Sequence, residues 1–382
     1  MPNRPLRWTF AALSTLGILI ATLHSAGTAL PPGWSFTLSS GDAALAELIQ
    51  NLLLFIPLGA SLVLAGVAPL RAIAIGAGLS FSVEFLQQWI PGRDPSTGDI
   101  ICNTTSTAIG AALVVFAPLW LWPPPRRAAW QALGTAILAV LVWLGTGAAL
   151  RPIFPEPPYH TVVTPDWNLW GNYRGKVLAV DATDPRLPVQ AKVVAASRPP
   201  GRVSPLVAIL DSLDAKVLLL GVDGTDLVVI QHRRATPLTL ERLDLRWRGA
   251  LAAIAPKDTF TTQTWAGDRG RCMNVNSARR CGFGYTIGDG WKLIYYPEHF
   301  AAWLLAVINV LWVVGWTVGV GYWAAQGGGG RRMAAEAVAA IAIVLIALIV
   351  VPMLTGLKPT PVLEWLGALG GLAFPFAALR RP

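Results

Sequence analysis

Long apolar runs fill both ends of this chain, and a more polar stretch separates them. Runs of about 20 apolar residues predict eight helices long enough to cross a bilayer. We place these helices at Trp8–Leu23, Leu48–Gly66, Leu70–Ile90, Ile101–Trp122, Ala128–Leu150, Phe300–Ala325, Met333–Met353 and Val362–Leu379. Between Tyr159 and Trp291 the spacing of the apolar residues changes, because short β-branched runs alternate with Gly, Asp and Pro. That second pattern predicts an all-β sandwich.

The two patterns together predict a polytopic α-helical membrane protein with an inserted, jelly-roll-like β-sandwich. Four helices occupy residues 1–122, and a fifth transmembrane helix follows in 123–150. The β-sandwich domain takes 151–299, and three more transmembrane helices fill 300–382.

The composition agrees with a chain that is solvated mostly by lipid. Of its 382 residues, 54% are hydrophobic and 13% are charged, whereas a soluble protein has about 25% charged residues. The net charge of +9 would suit a nucleic-acid partner. The basic residues of 151–299, however, are scattered among acids rather than gathered in a stripe. We therefore expect no nucleic-acid partner.

Basic residues at the span ends predict the orientation in the membrane. Nine of them lie at alternate ends: Arg4, Arg7, Arg71, Arg126, Arg127, Arg331, Arg332, Arg380 and Arg381. The opposite short loops hold Arg93 and Lys358. The positive-inside rule then puts both termini in the cytoplasm and residues 151–299 outside. One alternative stays open, since the first apolar run also fits a signal peptide cleaved near Ser25–Ala29.

The stretch Ser82–Gly110 places polar side chains at the ends of two spans. Burying such groups in hydrocarbon costs several kcal/mol, so their presence needs a reason. Glu84 and Gln87 lie three apart and share one helix face. Asp99 and Asn103 lie four apart and do the same at the start of the next span. The spacing predicts a polar cluster at one end of these helices.

Glu47 and Asn51 form a third such pair, at the start of the sequence NLLLFIPLG. Together with SVEFLQQWIPGRDPSTGDIICNT, this sequence resembles the VanZ family of small membrane proteins. The family pattern is N-x-x-x-F-x-P-L-G, then E-x-x-Q, then G-R, then D-x-x-x-N-T-x-G. The matching residues are Asn51, Phe55, Pro57, Leu58, Gly59, Glu84, Gln87, Gly92, Arg93, Asp99, Asn103 and Thr104. The resemblance spans residues 8–122, under a third of the chain.

The resemblance implies a role in the bacterial cell envelope, with the chain in the inner membrane. The family is named after a glycopeptide-resistance accessory protein, so glycopeptide resistance is an implied association. The chain departs from the pattern at Ser106, where the family usually has Gly. We expect the larger side chain to loosen helix packing there.

Two interpretations of the polar cluster stay open. In the structural one, carboxylates and amides bridge helix ends, and Arg93 pairs with Asp99 or Glu84. In the functional one, the cluster binds the head group of an envelope lipid or lipid-linked precursor without catalysis, with Arg93 on phosphate. The residues expected to bind are Asn51, Glu84, Gln87, Arg93, Asp99 and Asn103.

An alternative function is a membrane transferase or hydrolase acting on a lipid-linked substrate. Glu84 would then be the general base, and Asp99 would orient a partner. No Ser-His-Asp or Cys-His arrangement in the sequence supports this chemistry. We therefore favour a binding protein, with a structural subunit of an export complex as a third interpretation.

In the β domain, Lys216–Gly221 and Asp226–His232 predict the clearest hairpin, with Asp223-Gly224 as its turn. The strand pattern resembles laminin-G and concanavalin-like sandwiches, a fold common in carbohydrate-binding modules. That resemblance implies a glycan ligand. The aromatic candidates for stacking on sugar rings, with core packing as the alternative, are Trp167, Trp170, Tyr173 and Trp265.

Cysteine and aspartate usage bears on cross-links and metals. Cys272 and Cys281 lie nine residues apart in the predicted external domain, where disulfides persist, so we expect a bond between them. Cys102 lies in a span and is expected to be a small core residue. Without a Cys-His cluster we expect no metal site and no cofactor. Calcium is the alternative at four aspartates that equally suit turns, namely Asp211, Asp214, Asp223 and Asp226.

Overall fold

The structure is a computed structural model that describes residues 4–25, 33–37, 43–167, 170–198, 200–268, 270–298, 300–327 and 330–379. Within it the chain divides into two compact units. The first unit comprises Met1–Ala132, Leu238–Glu241 and Trp323–Val338. The second unit comprises Leu133–Pro237, Arg242–Tyr322 and Ala339–Pro382.

The described residues form ten α-helices: α1 (Arg4–Thr22), α2 (Ala44–Leu54), α3 (Ile56–Leu64), α4 (Pro69–Gln87), α5 (Thr97–Val115), α6 (Ala117–Leu121), α7 (Pro125–Leu150), α8 (Ala302–Gln326), α9 (Arg331–Thr355) and α10 (Val362–Leu379). Six stretches are long and apolar enough to cross a membrane, one of them made of α2 and α3 together. Parts of α1 and α10 form two shorter apolar helices. The prediction of a multi-pass protein with about eight apolar helices is confirmed.

The second predicted span is broken between α2 and α3. Pro57 lies in the first turn of α3, where a missing N–H is tolerated. Phe55 joins the two helices, and its backbone N–H donates to the hydroxyl oxygen of Ser106 at 3.0 Å. Because Ser106 is fully buried, its hydroxyl supplies an acceptor inside the bundle for a backbone donor at the break.

Small residues bring α3 and α5 into close contact. A Cβ atom on Gly59 would lie 2.1 Å from the carbonyl oxygen of Thr107. A Cβ atom on Gly110 would lie 2.1 Å from the carbonyl oxygen of Ile56. In α5 both close approaches involve residues that follow Ser106, namely Thr107 and Gly110, so α3 and α5 pack closely next to it. The expected loosening at Ser106 itself stays a prediction.

The described residues also form ten β-strands: β1 (His160–Val163), β2 (Lys176–Asp181), β3 (Val189–Val194), β4 (Ser204–Leu210), β5 (Lys216–Asp223), β6 (Asp226–Gln231), β7 (Asp244–Trp247), β8 (Thr259–Gly267), β9 (Gly270–Val275) and β10 (Ala278–Phe283). They make two antiparallel five-stranded sheets. The first sheet has the order β1-β4-β5-β6-β7, and the second has the order β10-β9-β8-β3-β2.

The two sheets share one hydrophobic core, which confirms the predicted β-sandwich. Val189 and Val193 of β3 pack in the same buried cluster as Leu218 and Leu220 of β5. Strand β3 alternates buried and solvent-facing residues, as expected when one face of a sheet meets a core. Strands β4 and β5 are buried along nearly their whole length, so the first sheet is covered on both faces.

The predicted hairpin joins β5 and β6, but its turn lies one residue further along the chain. Asp223 pairs with Asp226, which leaves Gly224 and Thr225 as the two turn residues. Gly224 has a φ of +59°, a conformation that glycine adopts without a steric penalty. The glycine, rather than Asp223, therefore determines where the chain reverses.

Two of the three cysteines form the predicted disulfide. The bond joins Cys272 in β9 to Cys281 in β10, which are neighbouring antiparallel strands. Cys102 is a free, buried thiol in α5, as expected for a small core residue.

Glycines also allow α8 and α10 to pack closely in the second unit. A Cβ atom on Gly321 would lie 2.4 Å from the carbonyl oxygen of Leu372, and one on Gly371 would lie 2.2 Å from the Thr317 hydroxyl. The Gly-rich composition of the last predicted span therefore reflects a helix interface.

Candidate functional site

The predicted polar cluster lies in the first unit, around the loop that joins α4 to α5. Ser35 holds this loop, because its N–H donates to the Pro95 carbonyl and its carbonyl accepts the Thr97 N–H, each at 2.9 Å. Ser96 is the N-cap of α5, and its hydroxyl accepts the backbone N–H of Asp99 at 3.0 Å. The cap sets the start of α5 and so places Asp99 in its first turn.

Glu84 and Gln87 point inward from the end of α4. Glu84 is 2% exposed, and its carboxylate accepts the backbone N–H of Ser96 at 2.9 Å. Gln87 is also buried, and its amide donates to the Thr22 carbonyl at the end of α1 at 2.9 Å. Each polar side chain therefore joins α4 to a neighbouring segment.

Arg93 lies at the C-terminal end of α1 and donates there to backbone carbonyls. Its Nε atom donates to the His24 carbonyl and its Nη2 atom to the Ala21 carbonyl, each at 3.0 Å. Carbonyls at a helix C-terminus lack intrahelical donors and carry the negative end of the helix dipole. Burial lowers the pKa of Arg93, and the charge of Glu84 opposes that shift. Among the described residues no ion pair joins Arg93 to Asp99 or Glu84, so the predicted pairing is wrong.

Asn51 and Asp99 join α2 to α5 at the same end of the first unit. The Asn51 amide donates to Oδ1 of Asp99, and both side chains stay partly exposed. Glu47 lies one turn earlier on α2 and is exposed. Asp94, in the loop after α4, is exposed as well. This end of the unit therefore carries an excess of carboxylates beside Arg93.

Asn103 is buried deeper in the first unit. Its amide donates to the Ser80 hydroxyl at 3.0 Å, which links α5 to α4. Its carbonyl oxygen has no hydrogen-bond partner among the described residues. Ser80 is fully buried and Asn103 is 2% exposed. The structure thus separates Asn103 from the surface pair of Asn51 and Asp99, although sequence spacing groups all three.

Of the four aromatic residues predicted to bind sugar, two line a cavity in the second unit. Trp167 and Trp170 border a space of about 670 Å³ together with Arg174, Arg198 and Arg202. Lys216 lies over both rings, with its Nζ atom 4.5 Å and 5.1 Å from their centroids.

The other two aromatic candidates are occupied by contacts within the sandwich. Tyr173 packs against the core and donates its hydroxyl to the Val194 carbonyl at 2.9 Å. The guanidinium of Arg279 lies 4.9 Å from the Trp265 ring centroid. The structure therefore brings Trp167 and Trp170 together but places Tyr173 and Trp265 elsewhere.

The aspartates considered for calcium have partners within the protein. Asp223 and Asp226 lie 2.6 Å and 3.4 Å from Nη1 of Arg246. Asp211 accepts two backbone N–H groups of its own turn, each at 2.9 Å. Asp214 lies 3.0 Å from His160. Within the described residues, no group of three or more His, Cys, Asp or Glu could hold a metal ion.

A second buried polar cluster lies in the second unit, and the sequence analysis missed it. Glu364, in the first turn of α10, is 3% exposed and accepts the Thr286 hydroxyl and the Gly288 N–H. Asp289 lies in the same short 3₁₀ helix, Ile287–Leu293, and accepts the amide of Asn309 on α8 at 2.9 Å. In the sequence, the available signal for this cluster is Glu364, a lone acid at the start of an apolar run. Such an acid needs hydrogen-bond partners in the fold.

Comparison with known proteins supports the family assignment for the first third of the chain. The model of the VanZ/LLP1 family matches residues 9–120. No curated protein matches the chain, and no solved structure matches it. The matched residues cover α2 to α5 and most of α1, and they include Asn51, Glu84, Arg93 and Asp99. The chain thus carries a VanZ/LLP1-like domain at residues 9–120, together with further apolar helices and a β-sandwich.

Proposed function

We propose that this chain is a non-catalytic protein of the bacterial cell envelope, in the inner membrane. In this proposal the VanZ-like domain binds the head group of an envelope lipid or a lipid-linked precursor. The observation that carries the proposal is the Asn51–Asp99 pair, which stays partly exposed at the ends of two apolar helices. Polar groups at such positions are costly and commonly functional in membrane proteins.

The geometry favours a head group with hydrogen-bond donors over a bare phosphate at this cluster. Two donors of Arg93 hold the end of α1, so its guanidinium is committed there rather than to the Asn51–Asp99 pair. Asp99 and the nearby exposed Glu47 and Asp94 instead favour ammonium or hydroxyl groups. This chemistry suits the amine of a phospholipid or the sugar of a lipid-linked precursor.

A glycan is proposed as an additional ligand of the β-sandwich. The cavity beside Trp167 and Trp170 is supported as its site by two aromatic rings and by three arginines in the same lining. Trp265 and Tyr173 are no longer part of this proposal, because neither lines this cavity.

Native mass spectrometry of the full-length protein, released from membranes in mild detergent, tests the proposal. We expect co-purified lipid on the wild-type protein and on Glu156→Gln, the control that removes an exposed carboxylate outside the cluster. Asn51→Leu should retain about tenfold less lipid, because it removes the amide that holds the Asp99 carboxylate in place. Spectra recorded with added envelope oligosaccharides test the glycan ligand through loss of the adduct in Trp170→Ala.

Equal lipid retention by Asn51→Leu and the wild-type protein would contradict the proposal. The enzyme alternative makes a different prediction, since it rests on Glu84, a carboxylate buried in an apolar helix. Turnover of a lipid-linked precursor by the purified protein, abolished in Glu84→Gln, would establish that alternative. Turnover that survives Glu84→Gln would exclude Glu84 as the base.

A further inference from the structure

A cavity of about 760 Å³ lies in the second unit, where the β-sandwich meets the C-terminal ends of α7 and α9. Strands β6 and β7 and the turn between β8 and β9 form one side. Leu150 at the end of α7 and residues 352–359, at and beyond the end of α9, form the other. The cavity therefore lies beside the ends of two apolar helices, where a membrane-embedded tail and a polar head group can both be accommodated.

Two buried arginines line this cavity without a carboxylate partner. Arg233 is 4% exposed and Arg271 is 5% exposed. Among the described residues, neither side chain forms an ion pair with Asp or Glu. Removing a charge from water is expensive unless an opposite charge compensates it. An occupant with negative charge would supply the compensation that the described residues do not.

The hydrogen bonds of the two arginines leave part of their capacity unused. Arg233 donates to the Leu243 carbonyl and, at 2.7 Å, to the Tyr285 hydroxyl. Arg271 donates from Nε to the Thr264 hydroxyl at 2.7 Å, while its Nη2 atom has no partner among the described residues. Burial, and then repulsion from Arg233, lowers the pKa of Arg271 to about 10. The Nη2 atom without a partner and the lowered pKa both indicate that a negatively charged group would be stabilised beside Arg271.

The rest of the lining adds positive charge and apolar surface. Arg151 and Lys358 also border the cavity, whereas Asp268 is its one described acid. The backbone N–H of Lys358 donates to the Tyr285 carbonyl at 2.8 Å, which holds this lysine next to the arginines. Phe154 and Met353 belong to an apolar part of the same lining. A soluble anion would leave that apolar part in contact with water, whereas an acyl or isoprenoid chain would cover it.

We propose that this cavity binds a phosphate-bearing amphiphile, with the phosphate held by Arg233, Arg271 and Lys358 and the chain held by the apolar lining. Arginine matches phosphate geometry with paired donors, and lysine adds a point charge. The site is separate from the Asn51–Asp99 pair, which favours a donor-bearing head group. The residues of this site all lie outside 9–120, the range that matches the VanZ/LLP1 family.

Binding to the full-length protein in neutral detergent tests the proposal, with three probes: dihexanoyl phosphatidic acid, dihexanoyl phosphatidylcholine and inorganic phosphate. We expect phosphatidic acid to bind at least about tenfold more tightly than either of the others. Arg271→Gln and Lys358→Gln should each weaken that binding about tenfold, because each removes a charged hydrogen-bond donor. Arg186→Gln is the control, since Arg186 is half-exposed on the sandwich and does not line the cavity.

Thermal melting without any probe separates binding from a structural role. Arg271→Gln should melt at the same temperature as the wild-type protein or higher, because it removes an uncompensated buried charge. A lower melting temperature combined with unchanged phosphatidic acid binding would assign Arg271 a structural role and overturn the proposal. If Arg271→Gln does not fold, unchanged binding by Lys358→Gln overturns it.

Inorganic phosphate binding as tightly as phosphatidic acid would overturn the amphiphile assignment. Unchanged lipid retention by Asn51→Leu would contradict the site proposed at the Asn51–Asp99 pair and would leave the proposal for this cavity unaffected.

Discussion

At the scale of single residues, the structure changes the meaning of two motif positions. Arg93 is the motif residue best suited to phosphate by its chemistry, yet it completes the C-terminus of α1. Ser106 departs from the family pattern, yet its hydroxyl accepts the backbone N–H of Phe55. In both cases a backbone group, invisible to side-chain patterns, is the partner. Motif membership therefore does not by itself identify a ligand-binding residue.

The role of Arg93 leads to a stability prediction. Arg93→Ala should lower the free energy of unfolding by about 1–3 kcal/mol, because two helix-end carbonyls lose a charged donor. Thermal melting of the full-length protein in detergent measures the effect. The neighbouring Asp94→Asn should change stability by less than about 0.5 kcal/mol, since Asp94 is exposed. Unchanged stability of Arg93→Ala together with loss of bound lipid would restore Arg93 as a head-group ligand.

At the scale of elements, hydrophobic runs predicted the helices well because each apolar stretch must satisfy its own backbone in lipid. Ala128–Leu150 agrees closely with α7 (Pro125–Leu150), whereas Leu48–Gly66 and Ile101–Trp122 are each divided into two helices. The span predicted at Leu48–Gly66 is instead broken at Phe55, just before Pro57, and the acceptor that Ser106 provides there required the fold. In the β-sandwich, the register of β5 and β6 moved the turn to Gly224 because glycine tolerates a positive φ.

The contact between α3 and α5 predicts a strong effect of one methyl group. Gly110→Ala should destabilise the protein by about 1–3 kcal/mol, because its Cβ atom would lie 2.1 Å from the Ile56 carbonyl oxygen. Gly78→Ala on α4 is the matched control, since nothing lies within 4 Å of the added atom. That control should be neutral or slightly stabilising, because alanine favours helix more than glycine does. Equal melting temperatures for the two variants would contradict the close packing of α3 and α5.

At the scale of the whole molecule, the chain combines a VanZ-like domain with helices and a β-sandwich that the family match does not reach. The two polar clusters and the arginine-lined cavity each lie within a single unit. Their chemistry differs, with carboxylates in excess around Asp99 and cations in excess around Arg271. The two proposals therefore predict two ligands of different charge rather than one shared ligand.

The orientation of the molecule is a prediction of the charge distribution, partly from Arg380 and Arg381, which lie outside the described residues. A fluorescent protein fused after Pro382 should fluoresce, because the C-terminus is predicted to be cytoplasmic. Alkaline phosphatase fused at that point should be inactive, whereas a fusion at Arg151 should be active. Phosphatase activity after Pro382 would show that the orientation is reversed.

The sequence by itself determined the apolar helices, the sandwich class, the Cys272–Cys281 bond and the VanZ-like segment. Those features follow from local period and residue type, which tertiary contacts do not alter. The tertiary structure alone decided which polar groups meet. Glu364 and Thr286 lie far apart in the chain, as do Arg233 and Arg271. Whether a buried charge has a partner depends on such long-range contacts, which residue spacing along the chain does not specify.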